Sequence, residues 1–85
     1  MRMIADEMPE RLQSLTPTQL EILDESESHR GHSGFREGGE SHFRIRLASP
    51  AFAGLTRLQR HRLVHDRLGD IVPRIHALAL ELSES

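Results

Sequence analysis

His42-Phe43-Arg44-Ile45-Arg46-Leu47-Ala48-Ser49 sets Phe43, Ile45 and Leu47 in strict alternation with His42, Arg44 and Arg46. A period of two places one set in a core and the other in water, so residues 42–49 read as a strand half-buried in a sheet. Upstream, residues 19–26 put Leu20 and Ile22 on one face with Gln19 and Glu21 on the other, a second strand of the same kind. Between the two lies a connection over residues 27–40 whose segment Ser28-His29-Arg30-Gly31-His32-Ser33-Gly34 is rich in glycine and histidine and carries no Asn-Gly or Asp-Gly turn. Hairpin loops of that length are usually functional or disordered, and imidazoles can bind a metal or take up a proton near neutral pH.

Further upstream, Ile4, Met8, Leu12 and Leu15 recur at helical spacing and define a helix over about residues 4–15. Pro9 either sits at the first position of a shorter helix or follows a bent first turn. Downstream of the central strand, Ser49-Pro50-Ala51-Phe52-Ala53-Gly54 is a break with Phe52 as the plug of an apolar pocket. Thr56 with Gln59 three residues on fits a capping box, which starts a helix near Arg57. That helix is expected to run to about residue 71, with Leu58, His61, Val64, Leu68 and Ile71 on one face, and to be stopped by Pro73. Residues 74–82 then read as a strand that is apolar on both faces, a pattern more common inside a sheet than at its edge.

The order α-β-β-α-β describes a small single-domain α+β fold, with helices on one face of a three-stranded sheet. The first two strands are antiparallel, and the helix between the second and third allows those two to run parallel in a mixed sheet. With 85 residues, 36% hydrophobic and 28% charged, the chain supports one modest core and no membrane span. The acidic N-terminal residues resemble no secretory signal, so a cytoplasmic location is expected. The absence of cysteine excludes a disulfide framework, a thiolate nucleophile and a thiolate metal site within this sequence. No activated-nucleophile arrangement is visible either, and an enzyme is not expected.

Asp24-Glu25-Ser26, Glu40-Ser41-His42-Phe43, Phe52-Ala53-Gly54, Arg60-His61-Arg62-Leu63-Val64 and His76-Ala77-Leu78-Ala79-Leu80 together resemble the BolA-like proteins, in the family's order and spacing. The resemblance spans residues 4–82 and implies a class II KH-like fold. It also implies a heterodimer with a monothiol glutaredoxin, bridged by a 2Fe-2S cluster, in cluster delivery or in iron and redox regulation. In that arrangement the partner supplies its cysteine and a bound glutathione thiolate, and the BolA-like chain supplies two imidazoles. The strand ligand carries over to His76; His29 is the closest match for the loop ligand, and His32 remains its alternative. Two imidazoles in place of two thiolates raise a cluster's potential. The isolated chain is expected to hold no cluster and to be a monomer or weak homodimer.

His61, on the apolar stripe of its helix, reads as a packed structural residue, and His42 and His65 read as surface histidines. The arginines support an alternative from another class. Arg44 and Arg46 on the strand with Arg57, Arg60 and Arg62 on the helix would form a basic face for DNA, as in a transcriptional regulator. Gly31-His32-Ser33-Gly34 matches the KH loop pattern but lies between strands rather than helices. The net charge of -2 and the lack of an exposed aromatic platform argue against nucleic acid as the main partner.

Overall fold

In the computed structural model, residues 3–29 and 39–84 are described. Strand β2, His42–Ala48, lies in the middle of a three-stranded mixed sheet. β1, Gln19–Asp24, pairs with it antiparallel, and β3, Ala77–Ser83, pairs with it parallel. Helix α1, Ile4–Leu12, continues as a 3-10 turn over Gln13–Leu15, and helix α2 covers Arg57–Leu68. Phe43, Ile45 and Leu47 of β2 meet Ile4, Met8, Leu12, Leu15, Phe52, Val64, Leu68 and Ile71 in one core on the helical side of the sheet. Met8, Leu12 and Phe52 are fully buried. Each such side chain contributes about 1.5–3 kcal/mol of transfer free energy.

Local signals explain most boundaries. Thr56 Oγ accepts from Gln59 N–H and Gln59 Oε1 accepts from Thr56 N–H, the reciprocal cap expected at the start of α2. Helix α1 runs through Pro9, which has no N–H to offer the carbonyl one turn earlier. Arg11 of α1 donates to the Leu68 carbonyl at 2.9 Å and pairs with Asp70 at 2.8 Å, placing a cation where the α2 dipole is negative.

Five expectations about the fold are corrected. First, α2 stops at Leu68 rather than residue 71, because Gly69 takes φ 55 and the chain tightens into a 3-10 segment over Gly69–Arg74, with Pro73 inside it. Second, β3 therefore begins at Ala77 and not near residue 74, so His76 precedes the strand. Third, β1 ends at Asp24, since Asp24 Oδ1 accepts from Ser26 N–H at 2.9 Å and Ser26 Oγ at 2.5 Å, turning the chain into a 3-10 turn over Ser26–His29. Fourth, β3 is an edge strand. Its Leu78, Leu80 and Leu82 pack on the core, while Ala77 and Ala79 give the other face an apolar character without burying much surface. Fifth, Leu58, placed on the buried stripe by its spacing, is 58% exposed because α2 presents Val64 and Leu68 to the sheet instead.

Candidate functional site

At one end of the sheet, the chain returning from the long connection meets the start of β3. Asp24, Ser26, Ser41 and His42 form a polar chain there. Ser26 Oγ donates to Asp24 Oδ1 and accepts from the N–H groups of Ser41 at 2.9 Å and His42 at 3.1 Å. Ser41 Oγ lies 3.1 Å from Ser26 Oγ and 2.8 Å from His42 Nδ1. Ser26, Ser41 and His42 are all buried, so these bonds satisfy groups that water does not reach. Burial works to raise the Asp24 pKa, but the Ser26 hydroxyl, the N–H groups of Ser26 and Glu40 and the charge of His42 outweigh it, holding the carboxyl below its ordinary 3.8.

The carbonyl of Ser41 accepts two N–H groups, from His76 at 2.8 Å and Ala77 at 3.1 Å. This fork fixes the backbone of His76 just before β3, with its side chain exposed. Its ring centroid is 5.2 Å from that of His42, and the two planes are tilted by 51°. The reading of His42 as a surface histidine is thus corrected: it is 4% exposed, covered because the parallel register brings the start of β3 alongside it. Its sequence signal is a hydroxyl residue followed by histidine at the mouth of a strand, Ser41-His42, but only the β2–β3 register shows what the ring meets. Of the loop histidines, His29 closes the Ser26–His29 turn and its side chain lies outside the described residues, as does all of His32.

The five arginines do not form one patch. Arg44 and Arg46 stand on the sheet face away from the helices and are already engaged. Arg46 pairs with Glu21 at 3.1 Å and Glu81 at 3.2 Å, and Arg44 with Glu25 at 3.1 Å and Glu81 at 2.9 Å. Three carboxylates against two guanidiniums leave that face without positive potential. Arg57, Arg60 and Arg62 belong to α2 and have no carboxylate partner among the described residues; Arg60 Nε donates to the Leu55 carbonyl at 3.1 Å. Arg57 and Arg60 border, with Leu55, His61 and Leu80–Leu82, an open groove of about 450 Å³. His61, expected to be packed, is only half-buried beside it.

No helix among the described residues is long and apolar enough to cross a membrane. Among them, too, no set of three or more His, Cys, Asp or Glu side chains gathers as a metal site. The sequence contains no cysteine and so offers no thiolate to a metal.

A family model described as BolA-like protein matches residues 12–85. The chain belongs to the BolA-like family. This BolA-like chain is 44% identical over 72 residues to a protein of the cobS 5' region of Sinorhizobium sp, covering 82% of the chain and 77% of that protein. It is 39% identical over 80 residues to the DNA-binding transcriptional regulator BolA of Vibrio cholerae, covering 92% and 72%. The solved structure of BolA1 from Arabidopsis thaliana superposes with a TM-score of 0.83 at 31% identity, over 99% of this chain and 94% of that one. The chain spans about half the length of the mammalian BolA-like protein 1 relatives, 48% for the mouse protein.

Proposed function

We propose that this BolA-like chain is the partner of a monothiol glutaredoxin and shares a bridging 2Fe-2S cluster with it, in cluster delivery or iron and redox regulation. His76 and one of His29 and His32 are the ligands in this reading, with the other two supplied by the glutaredoxin cysteine and its glutathione. The observation that carries it is the fork at the Ser41 carbonyl, which fixes the backbone of His76, a residue with an exposed imidazole, at the mouth of the sheet where the connection from β1 returns. Such fixing lowers the ordering cost when a second protein brings the metal. When bound, the cluster supplies reversible one-electron or transfer chemistry; this chain contributes neutral imidazole nitrogens and a preset backbone. It acts as a partner protein and not as an enzyme.

Anaerobic co-purification with a monothiol glutaredoxin, read by visible absorption and iron content, tests this. A complex with two irons is expected, disturbed more by His76→Ala than by His29→Ala or His32→Ala alone, since the two loop histidines can stand in for one another. Only the double loop variant should approach the effect of His76→Ala. A complex without iron, or a cluster spectrum indifferent to His76→Ala in a folded chain, overturns the reading.

A second reading, DNA binding, is favoured by the absence of carboxylate partners for Arg57, Arg60 and Arg62 among the described residues and by the name of the Vibrio cholerae relative. Arg44 and Arg46 do not belong to it, because their ion pairs with Glu21, Glu25 and Glu81 would have to break first.

A further inference from the structure

We propose that the outer edge of β3, together with the groove between that edge and α2, docks an extended acidic segment of another protein, which joins the sheet as a further strand. The argument starts from the backbone. β3 ends the sheet order, so one of its edges meets no strand. Ala77 N–H donates to the Ser41 carbonyl and the Ser83 carbonyl accepts from Ser49 N–H, so the odd-numbered residues of β3 turn their backbone polar groups towards β2. In a parallel ladder the N–H and C=O of one residue point to the same side, and the side alternates along the strand. The N–H and C=O groups of Leu78, Leu80 and Leu82 therefore face outward, where no partner meets them among the described residues. Nothing blunts this edge, since β3 carries neither the proline nor the lysine that commonly protects an exposed strand. The leucine side chains are only half-buried against the core, which leaves apolar surface along the same edge.

Charge selects the occupant. The groove of about 450 Å³ is bordered by Leu80 and Leu82 on the strand side and by Arg57, Arg60 and His61 on the helix side. Arg57 and Arg60 have no carboxylate partner among the described residues. Glu81 also borders the groove, but Arg44 and Arg46 hold its carboxylate on the sheet face away from the helices. An added strand lies about 4.8 Å from its neighbour and sends every second side chain to one face. Glutamates on the helical face would cover the half-buried leucines with their stems and bring their carboxylates to Arg57 and Arg60. Backbone hydrogen bonds then supply affinity, and the two arginines supply the preference for acidic side chains. A second copy of this chain fits less well, because antiparallel two-fold pairing of β3 with β3 turns the same arginines of both copies towards one another. A nucleic acid offers no peptide backbone to complete the ladder.

A fluorescein-labelled peptide about eight residues long, alternating glutamate with valine, tests the surface when titrated into the full chain at low salt. Anisotropy reads binding, and amide hydrogen exchange reads the edge. One peptide per chain is expected, with exchange at Leu78, Leu80 and Leu82 slowed tenfold or more. Lysine in place of glutamate in the peptide, or Arg57→Gln with Arg60→Gln in the protein, should weaken binding at least tenfold. Of the two peptides N-methylated at alternate nitrogens, one should lose binding tenfold or more and the other should keep it, because only one set faces β3. The methylated peptides leave the protein unchanged and decide the matter even if the double variant unfolds. Absence of binding, binding with unchanged exchange at those leucines, or equal affinity of the glutamate and lysine peptides overturns the proposal. A chain that is dimeric by itself with those amides already protected overturns it in favour of self-pairing. A DNA duplex that displaces the peptide at equal concentration overturns it in favour of nucleic acid. The assay contains neither iron nor glutaredoxin, so its failure leaves the cluster reading standing.

Discussion

The carboxylate of Glu40 accepts the backbone N–H groups of Ile4 and Ala5, each at 3.2 Å, and so caps a helix that begins 36 residues earlier in the chain. Helix α1 has Met3 at its N-cap position, which offers no side-chain acceptor. Glu40 fills that role and places a full negative charge at the positive end of the helix. Its backbone sits in the left-handed region at φ 61, an uncommon conformation for a glutamate, held by its N–H bond to Asp24 Oδ2 at 2.9 Å.

Glu40→Ala should therefore destabilise the domain by about 1–2 kcal/mol, combining loss of a cap with loss of a helix-end charge. Glu40→Gln, which keeps one acceptor oxygen, should lose less. Urea unfolding midpoints at neutral pH check this, and equal midpoints for Glu40→Ala and wild type would contradict the capping role.

Asp24 gives a pH dependence whose sign follows from its depressed pKa. Hydrogen bonds from Ser26 and Glu40 and the charge of His42 override the effect of burial, so the folded chain holds the carboxylate more strongly than the unfolded chain does. The stabilisation is fully present above the unfolded value of about 3.9 and is lost as pH falls below it through the lower folded value. Asp24→Asn should be less stable than wild type at pH 6, and the gap should narrow towards pH 3. A gap that stays constant over that range would show that the charge of Asp24 is not what matters.

For DNA, the two sets of arginines should behave differently. Arg60→Glu with Arg62→Glu should abolish any binding and flatten its salt dependence, since the slope falls by about 0.9 for every phosphate no longer neutralised. Arg44→Gln with Arg46→Gln should leave affinity unchanged, because these guanidiniums face Glu21, Glu25 and Glu81. Fluorescence anisotropy at several salt concentrations distinguishes the pairs of variants.

Phe52 and Leu58, both apolar in the sequence, should differ sharply. Phe52 is fully buried, and Phe52→Ala should cost about 3–5 kcal/mol, enough to unfold much of a small domain at 37 °C. Leu58 is 58% exposed, and Leu58→Ala should change stability by no more than about 0.5 kcal/mol. Thermal melts of the two variants make the comparison.

What can be read from the sequence is what short-range chemistry decides. The alternation of Phe43, Ile45 and Leu47 and the Thr56–Gln59 cap each involve residues within one strand or one turn, and they give β2 and the start of α2 directly. The start of β3 is hidden because Ile75 and His76 continue the strand's alternation while Gly69 and Pro73 hold the preceding backbone in 3-10 form. The position of β3 at the edge depends on sheet order, to which its apolar composition does not speak. In the site, the candidacy of His76 comes from motif order, whereas the burial of His42 depends on a pairing partner that arrives through α2. Likewise, the charges of Arg44 and Arg46 look available along the chain, and only the folded sheet sets Glu81 of β3 and Glu21 and Glu25 near β1 beside them.

Asp24 also clamps the two ends of the β1–β2 connection together. Oδ1 holds Ser26 on the outgoing side and Oδ2 holds Glu40 on the returning side, and a side chain at Gly39, where φ is 87, would come within 2.9 Å of the carboxylate. A connection tied at its base behaves as a replaceable cassette. Lengthening a loop adds closure entropy only logarithmically, about 0.6 kcal/mol per doubling, so residues between the clamp points are free to vary in number and kind while the sheet keeps its register. Substitutions between the clamp points can thus be made without renegotiating the fold, provided that Asp24, Ser26, Gly39 and Glu40 stay in place.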